Sequence, residues 1–216
     1  MKYFTFVLYL VFVFSCTTHT KEETKELSIE EIYTFAEPEV KFGEPYLFTS
    51  PQGEVYLSWI ERKEGVNYFK YAQLIEGQWS PPILIASGSD WFVNWADYPQ
   101  LAAFEDGSLM AFFLQKSGEG TFSYDIKTTF TKNGVDWSEP KTLHDDGTQT
   151  EHGFGSMIPW ENNMLVTWLD GRNTQGSSHD HANHDGHAGQ MNLRAAVLTS
   201  DGEKLEDWLL DDRVCD

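Results

Sequence analysis

YLFTSPQGEVYLSW at residues 46–59, QLAAFEDGSLMAFF at 100–113 and MIPWENNMLVTW at 157–168 follow one pattern. Each begins with a short apolar run, passes through a tight polar turn, and ends in a second apolar run that closes on an aromatic residue. The closing aromatics Trp59, Phe113 and Trp168 lie about 55 residues apart. Two apolar runs separated by a polar turn are typical of a β-hairpin, so each stretch predicts a pair of antiparallel strands.

Each hairpin continues into an alternating run, a turn that carries a tryptophan, and a short further strand. The runs are Tyr68 to Leu74, Phe122 to Phe130 and Met191 to Leu198, and the tryptophans are Trp79, Trp137 and Trp208. Four antiparallel strands at this period predict an all-β fold, a β-propeller of four-stranded antiparallel blades. The blades are expected at about 45–86, 98–144 and 155–210, within a propeller domain that covers 44–216.

Three blades do not close a ring, because propellers typically have four to eight. The segment from Asp211 to Asp216 falls where a fourth blade would begin. We therefore expect a truncated sequence that holds half of a six-bladed protein. The alternative is a half-propeller that closes by dimerisation.

The N-terminal region predicts export from the cytoplasm. Lys2 precedes an apolar run from Tyr3 to Phe14 that is too short for a mature membrane-spanning helix and typical of a secretory signal peptide, here residues 1–15. Ser15 before Cys16 resembles a bacterial lipobox, in which the cysteine is lipidated; plain secretion is the alternative. Residues 16–43 would then be a lipidated polar tether. The expected location is the bacterial cell envelope, lipid-anchored and extracytoplasmic, at the outer membrane or cell surface.

Composition excludes some partners. The net charge is −19, and phosphate contacts need clustered Lys and Arg, so we expect no nucleic-acid partner and no membrane contact except through the lipid. Cys16 and Cys215 are the only cysteines. Once Cys16 carries lipid no internal disulfide can form, and stability must come from packing.

TKNGVDWSEP at 131–140 lies in the turn region of the second repeat. Its Gly134, Asp136 and Trp137, followed by a Ser-x-Pro stretch, resemble the Asp-box of the sialidase (BNR) family, although Phe130 and Lys132 replace the leading Ser and Asp of that motif. EGQWSPP at 76–82 is a weaker copy, and the third repeat keeps only Asp201-Gly202 and a displaced Trp208. In that family the box is a structural hairpin turn. The resemblance covers roughly 45–216 and implies a lipoprotein with a sialidase-like propeller that is an exo-acting glycoside hydrolase.

Up-and-down blades place the Asp-box turns at one face and the longer loops at the opposite face, where binding usually occurs. Arg62, Arg172 and Arg213, three of only four arginines, map to the longer loops. Sialidases hold the substrate carboxylate with three arginines, so the resemblance implies that these are anion clamps; an ion pair with Asp170 is the alternative for Arg172. Asp97 or Asp170 is the candidate acid. The Arg-Ile-Pro motif of the family is absent, and its tyrosine nucleophile has no assigned position.

Trp91 and Trp95 flank this candidate acid in the sequence WFVNWADYP at 91–99. Two indoles and a carboxylate are suited to stacking on a sugar ring and binding its hydroxyls. The alternative is that both indoles pack between blades while Asp97 caps a turn. A glycan or glycoconjugate is thus the expected partner.

A histidine-rich insertion follows Arg172. His179, His181, His184 and His187 lie with two aspartates within nine residues and could hold a divalent metal. No established ligand spacing is matched, and a solvated low-complexity loop is the alternative. No cofactor is required by the other predictions. Three functions therefore stay open: a sialidase-type hydrolase, a non-catalytic glycan- or protein-binding propeller, and a metal-binding propeller that uses this loop.

Overall fold

The computed structural model describes residues 39–174 and 189–214. The predicted signal peptide, Cys16 and the four loop histidines lie outside these ranges. The regular structure within them consists of β-strands arranged in three antiparallel sheets. In the same two ranges, no helix is long and apolar enough to cross a membrane.

Each sheet corresponds to one sequence repeat. The first contains β1 (Lys41–Thr49), β2 (Val55–Lys63), β3 (Val66–Ile75), β4 (Gln78–Trp79) and β5 (Ile83–Gly88). The second contains β6 (Gln100–Ala103), β7 (Leu109–Lys116), β8 (Tyr124–Thr131) and β9 (Lys141–Thr142). The third contains β10 (His152–Trp160), β11 (Asn163–Asp170), β12 (Met191–Leu198) and β13 (Lys204–Val214).

The pairing of the strands confirms the predicted fold class, a β-propeller of four-stranded antiparallel blades. In the second and third sheets, strands that follow one another in sequence are neighbours and run antiparallel. In the first sheet β4 and β5 both pair with β3, so together they occupy the place of a fourth strand. Each sheet is therefore an up-and-down blade of a β-propeller, whose connections emerge alternately at its two ends.

The second blade is buried on both faces. Phe112 of β7 belongs to the apolar core shared with the third blade, and its neighbour Phe113 belongs to the core shared with the first. Adjacent residues of a strand point to opposite faces, so this single strand supplies both cores. The three closing aromatics Trp59, Phe113 and Trp168 are all buried, as a core position at the end of each hairpin requires.

Two of those aromatics share a further feature. The indole Nε1 of Trp59 donates to Glu61 Oε1 at 3.0 Å, and that of Trp168 donates to Asp170 Oδ2 at 2.9 Å. Residues two apart on a strand lie on the same face, which is why the same pair recurs. Asp170 is thus a hydrogen-bond partner for a buried indole.

The turn at 131–137 joins the first and second blades. Asn133 Oδ1 accepts hydrogen bonds from the backbone of Val135 and Asp136, and Gly134 takes a φ of +75°. The Gly134 carbonyl accepts a 2.6 Å hydrogen bond from the Tyr71 hydroxyl, and Trp137 meets the Tyr71 ring edge-on at 6.2 Å. The motif has a structural role here.

We predict that Tyr71→Phe lowers the free energy of unfolding by about 1 kcal/mol, because it removes one hydrogen bond between blades and leaves the Gly134 carbonyl without its partner. Urea denaturation measures the change. Tyr56→Phe is the matched control, since its hydroxyl bonds Glu54 within a single blade. A Tyr71→Phe protein as stable as the parent would show that the turn does not hold the blades together.

Candidate functional site

Three polar side chains meet between the second and third blades. Asp97 lies in the connection from β5 to β6, Tyr124 is the first residue of β8, and Glu151 directly precedes β10. The backbone brings them together, because Tyr124 and Glu151 form a parallel bridge and the Tyr124 amide donates to the Thr150 carbonyl at 3.2 Å. Asp97 and Glu151 lie within long connections, and Tyr124 directly follows one. An up-and-down blade places its larger loops at this end.

The Tyr124 hydroxyl is the centre of this group. It lies 2.8 Å from Glu151 Oε1 and 3.3 Å from Asp97 Oδ2. A phenol has one proton, so the hydroxyl donates to one carboxylate at a time, and Glu151 is the closer of the two. The Phe92 ring stacks on Tyr124 at 4.1 Å and fixes the plane of the phenol. The Tyr124 hydroxyl is therefore held between two carboxylates.

The surroundings tune these groups toward acid chemistry. Burial raises the pKa of Asp97 to about 6, although hydrogen bonds from the Phe154 amide and the Tyr124 hydroxyl act in the opposite direction. Burial and the two nearby carboxylates raise the pKa of Tyr124 well above its ordinary value. A carboxylic acid that keeps its proton to about pH 6 is suited to general acid catalysis.

A bulge at the start of β10 makes room for Asp97. The register of β10 against β11 shifts between Gly153 and Ser156, and Phe154 takes a φ of +50°. A Cβ at Gly153 would lie 2.0 Å from Asp97 Oδ2, so only glycine permits this approach. β-bulges are common beside active sites because they redirect local groups, here the Phe154 amide that bonds Asp97.

Asp170, the other predicted acid, has a different environment. It is fully buried, and Arg172 bonds it in bidentate fashion at 2.7 Å and 2.8 Å. Burial by itself would raise the pKa of Asp170, but the bonds from Arg172 and Trp168 outweigh that effect and hold it below its ordinary value. Asp170 therefore stays ionised, which favours the ion-pair interpretation of Arg172 over the clamp.

The other predicted binding residues are distributed over the structure. Arg62 on β2 forms an ion pair with Glu44 at 2.5 Å, and the Arg213 amide near the end of β13 bonds Asp211. The Trp91 ring stacks on Phe113 at 4.2 Å, which is the packing alternative. Trp95, by contrast, is 86% exposed. Their roles as clamps or sugar platforms stay predictions.

The predicted metal ligands His179, His181, His184 and His187 lie outside the described residues. Elsewhere, two groups with ligand-type side chains occur: Asp125, His144 and His152, and Asp146, His152 and Asp170. In the second group, Asp170 already forms an ion pair with Arg172. His144 and His152 were not among the predicted ligands.

Sequence reasoning also missed Tyr124 and Glu151. Tyr124 lies 27 residues after Asp97, and Glu151 lies 27 residues after Tyr124. One available signal was position, since Asp97 and Glu151 each lie just before the first strand of a blade. Acids at equivalent places in successive repeats are expected to approach the same end of a propeller.

The fold is shared with several solved structures. A GH93 α-L-arabinofuranosidase of Fusarium graminearum in complex with arabinobiose superposes with a TM-score of 0.51 at 11% identity, over 77% of this chain and 49% of that one. The α-L-arabinanase of Penicillium chrysogenum, also with arabinobiose, gives 0.52 at 13% identity over 77% and 50%. A protein of unknown function from Dyadobacter fermentans gives 0.51 at 13% identity over 79% and 54%.

The chain thus spans about half the length of these three proteins. At such low identity the likeness shows the fold alone, a β-propeller. No protein-family model matches the chain, and no curated protein matches it.

We predict that Asp97→Asn stabilises the protein at pH 7 by about 1 to 3 kcal/mol. The pKa of Asp97 is about 6 in the folded state and near 4 in the unfolded chain, so the folded state binds more protons between these values and stability falls as pH rises through them. Asparagine remains uncharged and avoids that loss. Urea denaturation of both proteins at pH 4 and pH 7 measures it, and an equal difference at both pH values would contradict the raised pKa.

Proposed function

We propose that this chain is the catalytic part of a propeller-fold glycan hydrolase, and that Asp97, Tyr124 and Glu151 are its reacting groups. The observation that supports this most is the Tyr124 hydroxyl, which contacts two carboxylates at once. One nucleophilic oxygen thus has a carboxylate base and a carboxylic acid within reach.

In the proposed reaction Tyr124 is the nucleophile. A phenol attacks poorly until a base removes its proton, and Glu151 at 2.8 Å is positioned to accept it. Asp97 gives its proton to the glycosidic oxygen as the bond to the sugar breaks, and then takes a proton from the water that releases the sugar from Tyr124. Tyrosine nucleophiles are the variant that sialidases use among retaining enzymes.

We propose an acidic sugar of the sialic acid type as the substrate, released from a chain end. Support comes from the pairing of tyrosine and glutamate and from the resemblance of residues 131–137 to the Asp-box. Arabinofuranosyl groups are the competing substrate class, because the Fusarium and Penicillium structures hold arabinobiose.

A non-catalytic glycan-binding protein is the second candidate. One observation favours it: Trp95, two residues before Asp97, is 86% exposed. An exposed indole beside a buried polar group is typical of a platform for sugar rings. This candidate requires no proton transfer and therefore leaves the raised pKa of Asp97 without a role.

We further propose that the protein is a lipid-anchored envelope protein, modified at Cys16 and bound to the membrane only through its lipid. The apolar run from Tyr3 to Phe14 and the Ser15-Cys16 pair support this. An extracytoplasmic hydrolase held at the surface would meet glycans before they enter the cell.

Activity measurements on three variants test the hydrolase. Tyr124→Phe and Glu151→Gln should lower kcat for an aryl sialoside by about 100-fold or more, because each removes one part of the nucleophile. Asp97→Asn should lose far more activity on a natural sialoside than on the aryl one, since an aryl leaving group needs little proton donation. Asp90→Asn, in the same connection and bonded to Gln115, is the matched control and should retain activity.

The outcomes separate the candidates. A Tyr124→Phe protein with unchanged kcat would exclude the nucleophile role. Hydrolysis of the aryl arabinofuranoside in place of the sialoside would transfer the site to the competing substrate class. If the parent hydrolyses neither substrate yet binds glycan in a manner lost with Trp95→Ala, the binding protein is supported.

Fractionation tests the anchor. Expressed in a bacterial host, the parent should partition into the detergent phase, and Cys16→Ala should appear in the aqueous phase. Two or more acyl chains anchor a protein firmly, and the variant carries no acyl chain. Cys215→Ala is the control for loss of a cysteine in itself. Detergent partitioning by the Cys16→Ala protein would refute lipidation.

A further inference from the structure

A second polar cleft lies beside the blade 2–blade 3 junction and takes no part in the proposed reaction. It has a volume of about 360 Å³ and lies among the connection after β7, the strand β8 and the connection after β9. Ser117, Asp125 and His144 line it from these elements. We refer to it as the His144 cleft.

Buried polar atoms without hydrogen-bond partners concentrate in this cleft. Within residues 39–174 and 189–214, Ser117 Oγ, Asp125 Oδ1 and His144 Nε2 are buried and make no hydrogen bond of normal length, although the last two face each other at 3.5 Å. Buried polar side-chain atoms are usually satisfied by a partner, so this cleft is a place where a polar or cationic ligand would be held. The His144 side chain is only 2% exposed, and its accessible part lines the cleft.

The orientation of His144 shows what kind of ligand is needed. Its Nδ1 lies 2.6 Å from Asp146 Oδ1 and donates a proton to it, so in the neutral ring Nε2 carries a lone pair. That nitrogen faces Asp125 Oδ1 at 3.5 Å. In that form of the ring two electron-pair donors face each other, and a metal ion between them would satisfy both.

The distance fits a metal ion. Zinc binds imidazole nitrogen and carboxylate oxygen at about 2.0 to 2.2 Å, and at a tetrahedral angle two such ligands lie about 3.4 Å apart. The observed separation is 3.5 Å. A hydrogen bond between the same atoms would be shorter, at about 2.7 to 3.2 Å.

Neighbouring residues hold the two donors in this orientation. Asp146 on His144 Nδ1 is the usual outer partner of a metal-binding histidine. The His152 ring stacks on that of His144 at 3.6 Å, nearly parallel, and limits its rotation. Lys127 bonds the other oxygen of Asp125, Oδ2, at 3.2 Å and leaves Oδ1 directed at the histidine.

We propose that the His144 cleft binds a divalent transition metal ion of the zinc type, held by Asp125 Oδ1 and His144 Nε2. Water in the cleft would occupy its remaining positions. The ion would link β8 to the connection before β10. It is distinct from the histidine-rich loop and does not depend on the proposed hydrolase.

The test separates this cleft from the loop. In one variant of the full chain, His179, His181, His184 and His187 are all replaced by Asn, and zinc binding is measured by calorimetry and by metal analysis after dialysis. We expect this variant to retain a single zinc ion per chain. Adding Asp146→Asn should weaken its affinity by about 10- to 100-fold, and adding Asp125→Asn or His144→Gln should weaken it at least as much.

Two further readouts protect the result against misfolding. With EDTA present, the Asp125→Asn protein should unfold cooperatively at a somewhat lower urea concentration than its parent, because it loses the ion pair with Lys127, while zinc should stabilise the parent only. Cobalt in the parent should show the intense visible bands of a tetrahedral site, and these should be absent from Asp125→Asn. Zinc binding that disappears with the four loop histidines, or that survives both Asp125→Asn and His144→Gln, would overturn the proposal; so would a His144 that bridges two carboxylates as a protonated ring and binds no metal.

Discussion

Burial of the second blade on both faces is the constraint on which the rest of the structure depends. Phe112 and Phe113 of β7 point into different cores, so the first and third blades must pack on opposite sides of one sheet. The same alternation continues on β8, where Tyr124 contacts Asp97 and Glu151 while its neighbour Asp125 faces His144. One strand thus presents consecutive residues to two separate polar sites, and the packing of the blades positions both.

The buried carboxylates near this junction differ in their partners, and the difference decides their charge. Asp125, Asp146 and Asp170 are buried to varying degrees, which by itself raises the pKa, but hydrogen bonds and nearby cationic or histidine groups lower it further than burial raises it. Asp97 has no such cation, and its main neighbours are a phenol and Glu151. Its pKa therefore rises to about 6. Acid chemistry is assigned to Asp97 because it alone among these four has a raised pKa.

The sequence permits the blades to be predicted more fully than the site. Hairpins with closing aromatics at a regular spacing identify the sheets, because burial and alternation are local properties that repeat. The approach of Asp97, Tyr124 and Glu151 depends on how two connections fold over the end of a blade. Such folding leaves no periodic pattern in the sequence. For Arg172 and Trp91 the sequence left two interpretations open. Contacts with Asp170 and Phe113 favour the structural one in each case, while the exposure of Trp95 favours the binding one.

Several locally unfavourable features coincide at Asp97, and packing alone gives no reason for them. Among the described residues, five other than glycine have a positive φ; four are glutamates, and the fifth is Phe154, for which this conformation is more unusual. The first blade has a comparable bulge after Gly43, but there Glu44, the next residue, forms an ion pair with Arg62. In the third blade the bulge instead places the Phe154 amide and Gly153, which has no Cβ, against the buried Asp97. Strained backbone and a buried carboxyl without a cationic partner each lower stability, and their coincidence is typical of a functional site.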